Sequence, residues 1–347
     1  MAAGGGGAAT AGRNPSRSDA TAVAAALKAQ ARTALETAGL VYAPDAHVQH
    51  LTRCRVDAEP IAVDIRDALE RRALPESEDE HSLLAAVDVM ATFGCALADH
   101  AYRVGATSTA HRDAVRWSVS AYVIGSAIVD HICDHAQRLL PLLNERLSAS
   151  ALAGVLGGGD DPPPLAADGD PALLLYLDEL FARAVRLCRS LVIAPRDDAD
   201  TQWQAFLADV TSAYRAELAT AAPGAVRQVE TIWATPFWLA LALVAAGPEA
   251  RAEVDFDAIR AEARSFARLL ALIDDIVDVE QDWASGAGNQ LLERAARRPA
   301  EIAPWPALAD AAVYGPYMDE ITRGARTLSA GVDRDSLAAW LYYWLGP

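Results

Sequence analysis

A chain of 347 residues with 52% hydrophobic content is long and apolar enough for a sizeable core, which excludes a disordered or low-complexity protein. Its formal charge of −17 disfavours nucleic acid and anionic membrane surfaces as partners, because both demand clustered basic groups. Lys28 is the only lysine, so an anionic ligand falls to arginines, whose planar fork grips carboxylate or phosphate at two points.

The N-terminal stretch, residues 1–18, is rich in Gly and Ala, lacks the apolar core of a signal peptide and reads as a disordered tail. From residue 19 to 347 one pattern repeats: ten to thirty residues rich in Ala, Leu and Arg, then a short break carrying Pro, Gly or Asp. No run alternates with period two, and no shift in composition marks a second domain. The expectation is all-α, a single-domain helical bundle of about ten helices. Breaks come first at "YAPDA", "ALPESEDE" and "VGATS", followed by the apolar segment that ends in "DHICD". The loop 157–171, with three consecutive prolines, reads as exposed and mobile. Thr231 to Gly247 is the most apolar stretch, but it is short for a bilayer and holds Pro236, so a buried helix is expected rather than membrane insertion. Cys54, Cys95, Cys133 and Cys188 are scattered without CxxC spacing, which fits a reducing cytoplasm.

Two acidic groups interrupt this apolar pattern. In "LLALIDDIVDVEQD", Asp274, Asp278 and Asp282 are four apart, and on a helix each such step rises about 6 Å and turns about 40° past a full turn, giving one slowly winding row. Phe266 and Leu270 extend that row upstream, whereas Asp275 sits about 100° from Asp274. In "AYVIGSAIVDHICD", Asp130 and Asp134 repeat the spacing, and Tyr122 and Ser126 continue it upstream; Trp117 falls on roughly the opposite side. The groups are 144 residues apart, enough for intervening helices to bring them face to face. Facing carboxylates beside an apolar lining need cations, and an all-oxygen donor set selects Mg²⁺, which takes a few carboxylates, waters and phosphate oxygens. The plainer alternative leaves Asp130 and Asp134 solvated and makes the later acids a helix cap.

These residues resemble the motifs of the class I terpene synthases. "DDIVDVEQD" is similar to the family's second metal motif in acidic form, with Asp274, Asp278 and Asp282 at its ligand positions. "DHICD" is similar to the aspartate-rich motif through Asp130 and Asp134, with His131 where a second aspartate usually stands. The resemblance implies the class I isoprenoid synthase fold with a central cavity, and three Mg²⁺ ions bound with diphosphate. It further implies a diphosphate-sensing arginine at Arg227, 47 residues before Asp274, with Glu230 as linker and Thr231 as effector at a helix break. The chain departs from the family at its end, "DSLAAWLYYWLGP", which lacks an Arg-Tyr pair, and at Ser285, where a basic residue is common. Arg323 or Arg326 is then the expected substitute. A zinc site from His131, Cys133 and His135 is disfavoured because 131 and 133 point to different faces.

The implied activity is Mg²⁺-dependent ionisation of an allylic isoprenyl diphosphate (farnesyl, geranylgeranyl or copalyl), with Tyr122, Phe237, Trp238, Phe266, Trp340, Tyr343 and Trp344 as aromatic candidates for shielding a carbocation. Taken singly, each aromatic reads more readily as plain core. The rivals are a trans-prenyl diphosphate synthase or a squalene- or phytoene-synthase-like condensation, and, from another class, a non-catalytic helical binding protein. The chain elongators' Lys and Arg motifs are missing. Oligomeric state stays open, with room for a homodimer.

Overall fold

The structure, a computed structural model, describes residues 17–75, 77–105, 112–134, 136–148, 150–151, 154, 164–167, 169–191, 212, 256–285, 288–296, 304–327 and 334–346. Among them every regular element is a helix: α1 (Arg17–Thr37), α2 (Pro44–Arg72), α3 (Glu78–Gly105), α4 (Arg112–Asp134), α5 (Leu140–Arg146), α6 (Ala172–Leu191), α7 (Phe256–Val277), α8 (Val279–Ser285), α9 (Gln290–Ala296), α10 (Pro304–Leu308), α11 (Ala311–Thr327) and α12 (Arg334–Leu345). The all-α expectation holds, and α1 starts two residues before the expected edge of the fold.

The punctuation seen in the sequence does its work through known end chemistry. Pro44 opens α2 at a position whose N–H would have no helical partner, and Arg71 and Arg72 sit in its last turn, where cations complement the helix dipole. The "SEDE" of the second break is a capping box: Glu80 N–H donates to Ser77 Oγ at 3.2 Å, and Ser77 N–H donates to the Glu80 carboxylate at 3.2 Å. Pro60 lies inside α2 without ending it, on an exposed face.

Two groups of helices form around one continuous apolar cluster that includes Tyr122, Val129 and Ile132 of α4 and Phe266, Leu270 and Ile273 of α7. In the first group α4 packs between α3 and α6, with α2 against all three. The α3–α4 contact is unusually close, since a Cβ placed on Gly94 would lie 2.5 Å from Ser120 Cα. Ser120 Oγ uses that proximity to donate to the Ala91 carbonyl at 3.1 Å. Asp64 of α2 accepts from Trp117 Nε1 at 2.7 Å and from Arg183 of α6, whose guanidinium lies 4.3 Å over the Trp117 ring. Trp117 is thus turned to α2 as a structural anchor.

In the second group α7 packs on α11, α1 and α12, and α12 also packs on α2, joining the groups. The first helix braces this half. Arg32 donates to the carbonyls of Leu345 (3.0 Å) and Gly346 (2.7 Å) at the end of α12, and Thr21 donates to Glu280 of α8 at 2.8 Å.

One expectation needs correction. Part of the 157–171 loop is not exposed: Leu165 and Ala166 are buried, and the Leu165 N–H donates to Asp178 at 2.6 Å, a carboxylate also bound by Arg72. The apolar stretch 231–247 lies outside the described residues. Among those described, Glu80–Asp99 is long and apolar enough to cross a membrane, yet 61% of it is buried inside the fold, as in a core helix.

Candidate functional site

Both acidic groups stand at the C-terminal ends of apolar helices. On α4, Tyr122 is buried, Ser126 is half-buried with an Oγ that has no hydrogen-bond partner among the described residues, and Asp130 is half-buried one turn before Asp134 closes the helix. On α7, Phe266 and Leu270 are buried and Asp274 is half-buried in the last turn. Asp130 and Asp274 thus each keep part of their side chain in contact with solvent.

The second acidic row is not carried by one uninterrupted helix. α7 ends at Val277, the chain bends at Asp278, and α8 begins at Val279. The local sequence, DDIVDV, consists of Asp and β-branched residues, all weak helix formers, so the ladder is weakest there. Two hydrogen bonds nevertheless keep the four-residue step: Asp278 N–H to Asp274 C=O at 2.9 Å and Asp282 N–H to Asp278 C=O at 2.8 Å. Asp274 and Asp278 are half-buried, while Asp282 is buried and accepts from Asn289 Nδ2 at 2.8 Å.

Asp275 has a separate role. It is buried on the far side of the row, where its Oδ2 accepts from the Tyr317 hydroxyl of α11 at 2.6 Å. Burial, reinforced by the Asp275 charge, pushes the Tyr317 hydroxyl well above its usual pKa, so it keeps the proton it donates. Arg294 of α9 lies 4.9 Å from the Tyr317 ring and pairs with Glu320, which Arg268 of α7 also contacts. The back of the acidic segment is therefore held by α9 and α11.

The aromatic candidates divide. Trp340 is buried and meets Phe93 of α3 edge to face at 5.0 Å; Tyr343 is 48% exposed and touches the Trp340 ring at 5.8 Å. Trp340 Nε1 has no hydrogen-bond partner among the described residues. Arg323 lies on the exposed face of α11, and Arg326 donates to the Thr37 carbonyl at 3.3 Å, a link between α11 and α1. His131 is half-buried and Cys133 buried. Arg227, Glu230, Thr231, Phe237 and Trp238 lie outside the described residues.

Sequence reasoning missed Asn289, Tyr317 and Phe93. Asn289 carried one readable signal, its place just before α9, where asparagine favours the N-cap. Nothing in the linear pattern pairs Tyr317 with Asp275 or Phe93 with Trp340.

Carboxylates are the donors at hand, with no thiolate among Asp130, Asp274 and Asp278, which suits a hard cation. Among the described residues no three His, Cys, Asp or Glu side chains converge as a ready-made cage.

No family model matches the sequence, and no curated protein matches it. Among solved structures the chain is similar to a linalool/nerolidol synthase from Streptomyces clavuligerus in complex with 2-fluorogeranyl diphosphate, at 14% identity and a TM-score of 0.42 over 81% of this chain and 92% of that one. The likeness is one of helical layout, and a functional reading rests on this chain's own residues.

Proposed function

We propose that the protein is a class I terpene synthase, a Mg²⁺-dependent enzyme that ionises an allylic isoprenyl diphosphate. The observation that carries this reading is the pair of half-buried carboxylate groups, Asp130 and Asp274/Asp278, each at or near the C-terminal end of a helix whose upstream turns are core. Several aspartates with all-oxygen donors, on helices whose other faces are apolar, are the kind of set that a hard divalent cation and a diphosphate fit.

Asp130, Asp134, Asp274, Asp278 and Asp282 are the proposed holders of Mg²⁺ and diphosphate, with Arg227 and an α11 arginine, Arg323, as diphosphate contacts. Bound Mg²⁺ supplies Lewis-acid neutralisation of charge on the departing oxygens. The carbon–oxygen bond breaks heterolytically, the electron pair leaving with diphosphate, and the allylic cation ends by losing a proton or taking up water. Tyr122, Phe266 and Trp340 are buried aromatic faces suited to exclude water and stabilise positive charge, by about 0.5 to 2 kcal/mol each. Farnesyl, geranylgeranyl and copalyl diphosphate are the proposed substrates.

The test is Mg²⁺-dependent release of diphosphate from each substrate, with and without isopentenyl diphosphate. Release without it, abolished by chelation and reduced at least ~100-fold in Asp278→Asn, supports the synthase. Turnover only with isopentenyl diphosphate assigns chain elongation instead. No release from any allylic diphosphate leaves a helical binding protein.

A further inference from the structure

The bend at Asp278 raises a physical problem. A row of carboxylates meant for one ligand must keep its geometry across a break in the helix, at a point where the residues themselves favour neither helix nor any single angle. Asn289 spans that break. Its side chain is buried, and its amide makes four hydrogen bonds: Nδ2 donates to the Asp275 carbonyl (2.8 Å), on the α7 side, and to Asp282 Oδ2 (2.8 Å), on the α8 side. Oδ1 accepts from the N–H groups of Leu291 (3.0 Å) and Leu292 (3.1 Å).

Those four bonds account for both donors and both acceptor sites of a primary amide. They also fix its orientation, since a carbonyl and a carboxylate need donors while two backbone N–H groups need an acceptor. Asp275 lies in the last turn of α7, where carbonyls run short of helical donors, and Asn289 supplies a donor to its carbonyl. The same side chain caps α9. Two other N-cap residues would not serve: aspartate has no donors and sets a second carboxylate against Asp282, while serine caps α9 but is too short to bridge the bend.

We infer that Asn289 is a positioning residue that staples α7 to α8 and thereby sets where Asp278 and Asp282 point. It touches neither ion nor substrate. This inference rests on the proposed synthase reading, because a staple for the acidic row has a functional consequence only if that row binds Mg²⁺ and diphosphate.

The test uses the full chain and inorganic pyrophosphate at fixed concentration, with Mg²⁺ titrated and Tm followed. In the wild type, Mg²⁺ with pyrophosphate is expected to raise Tm. In Asn289→Ser, which keeps the cap on α9, the Mg²⁺ concentration for half the rise is expected to increase about tenfold or more, while the ligand-free Tm falls by no more than a few degrees. Asn289→Asp, equally able to cap, is expected to show the same displacement. Wild-type Mg²⁺ response in both variants overturns the positioning role while leaving the synthase reading intact. Loss of folding in both without ligand also overturns it, in favour of a purely structural role. No Mg²⁺ response in the wild type removes the synthase reading and the staple together.

Discussion

Asp99 shows how a single buried charge is made tolerable here. It accepts from Arg116 at 2.8 and 2.6 Å and from Arg112 at 2.8 Å, with Asp99 and Arg116 both largely buried. Burial works to raise the Asp99 carboxyl, but the hydrogen bonds and charges of Arg116 and Arg112 outweigh it and hold the group below its ordinary value. With a folded pKa below the unfolded ~3.9, the contribution is fully present above that pH and is lost as pH falls through the folded value. Denaturant unfolding between about pH 6 and pH 3 is expected to show wild-type stability declining more steeply than that of Asp99→Asn. At neutral pH the variant itself is expected to lose about 3 kcal/mol, since an arginine is left buried without its full partner. The neighbouring Cys95 is pushed up to about 12 by burial, so thiol reagents are expected to label it only upon unfolding. The acids of the candidate site were legible one by one, because spacing alone puts Asp274, Asp278 and Asp282 in a row. Asp275 was not, because its direction depends on Tyr317, 42 residues away.

The α3–α4 pair sets the element scale. Gly94 lets the two backbones approach until Ser120 can donate to the Ala91 carbonyl, so Gly94→Ala must move one helix and is expected to cost about 1 to 3 kcal/mol in chemical denaturation. Gly324→Ala is the matched control. Gly324 lies in α11, and the added methyl group would meet only the Leu269 side chain at 3.8 Å, an ordinary contact, so helix propensity dominates and stability is expected to hold or rise by up to about 1 kcal/mol. Helix existence was well marked in the sequence, since Pro44 and the Ser77/Glu80 box announce their own helix starts. The bend at Asp278 was not marked, having neither Pro nor Gly; the contacts that hold its two sides come from Asn289, just before α9, and from Tyr317 of α11.

At the scale of the molecule, α4 with its Asp130 belongs to one helix group and α7 with Asp274 to the other, joined where α12 packs on both α2 and α7. The first helix secures that junction through Arg32, whose guanidinium caps the final carbonyls of α12. Arg32→Ala is expected to lower Tm by several degrees, at about 1 to 2 kcal/mol, by freeing the end of α12. An all-α bundle was readable from periodicity and punctuation, but the grouping of helices was not, because apolar faces specify burial without naming the neighbour. The central claim is that carboxylates from both groups share Mg²⁺ and diphosphate. Its most direct measurement is anomalous diffraction from crystals grown with Mn²⁺ and inorganic pyrophosphate. The account predicts ions about 2.0 to 2.2 Å from carboxylate oxygens of both Asp130 and Asp278, bridged by one pyrophosphate; crystals holding pyrophosphate elsewhere, with no ion at either residue, would contradict it.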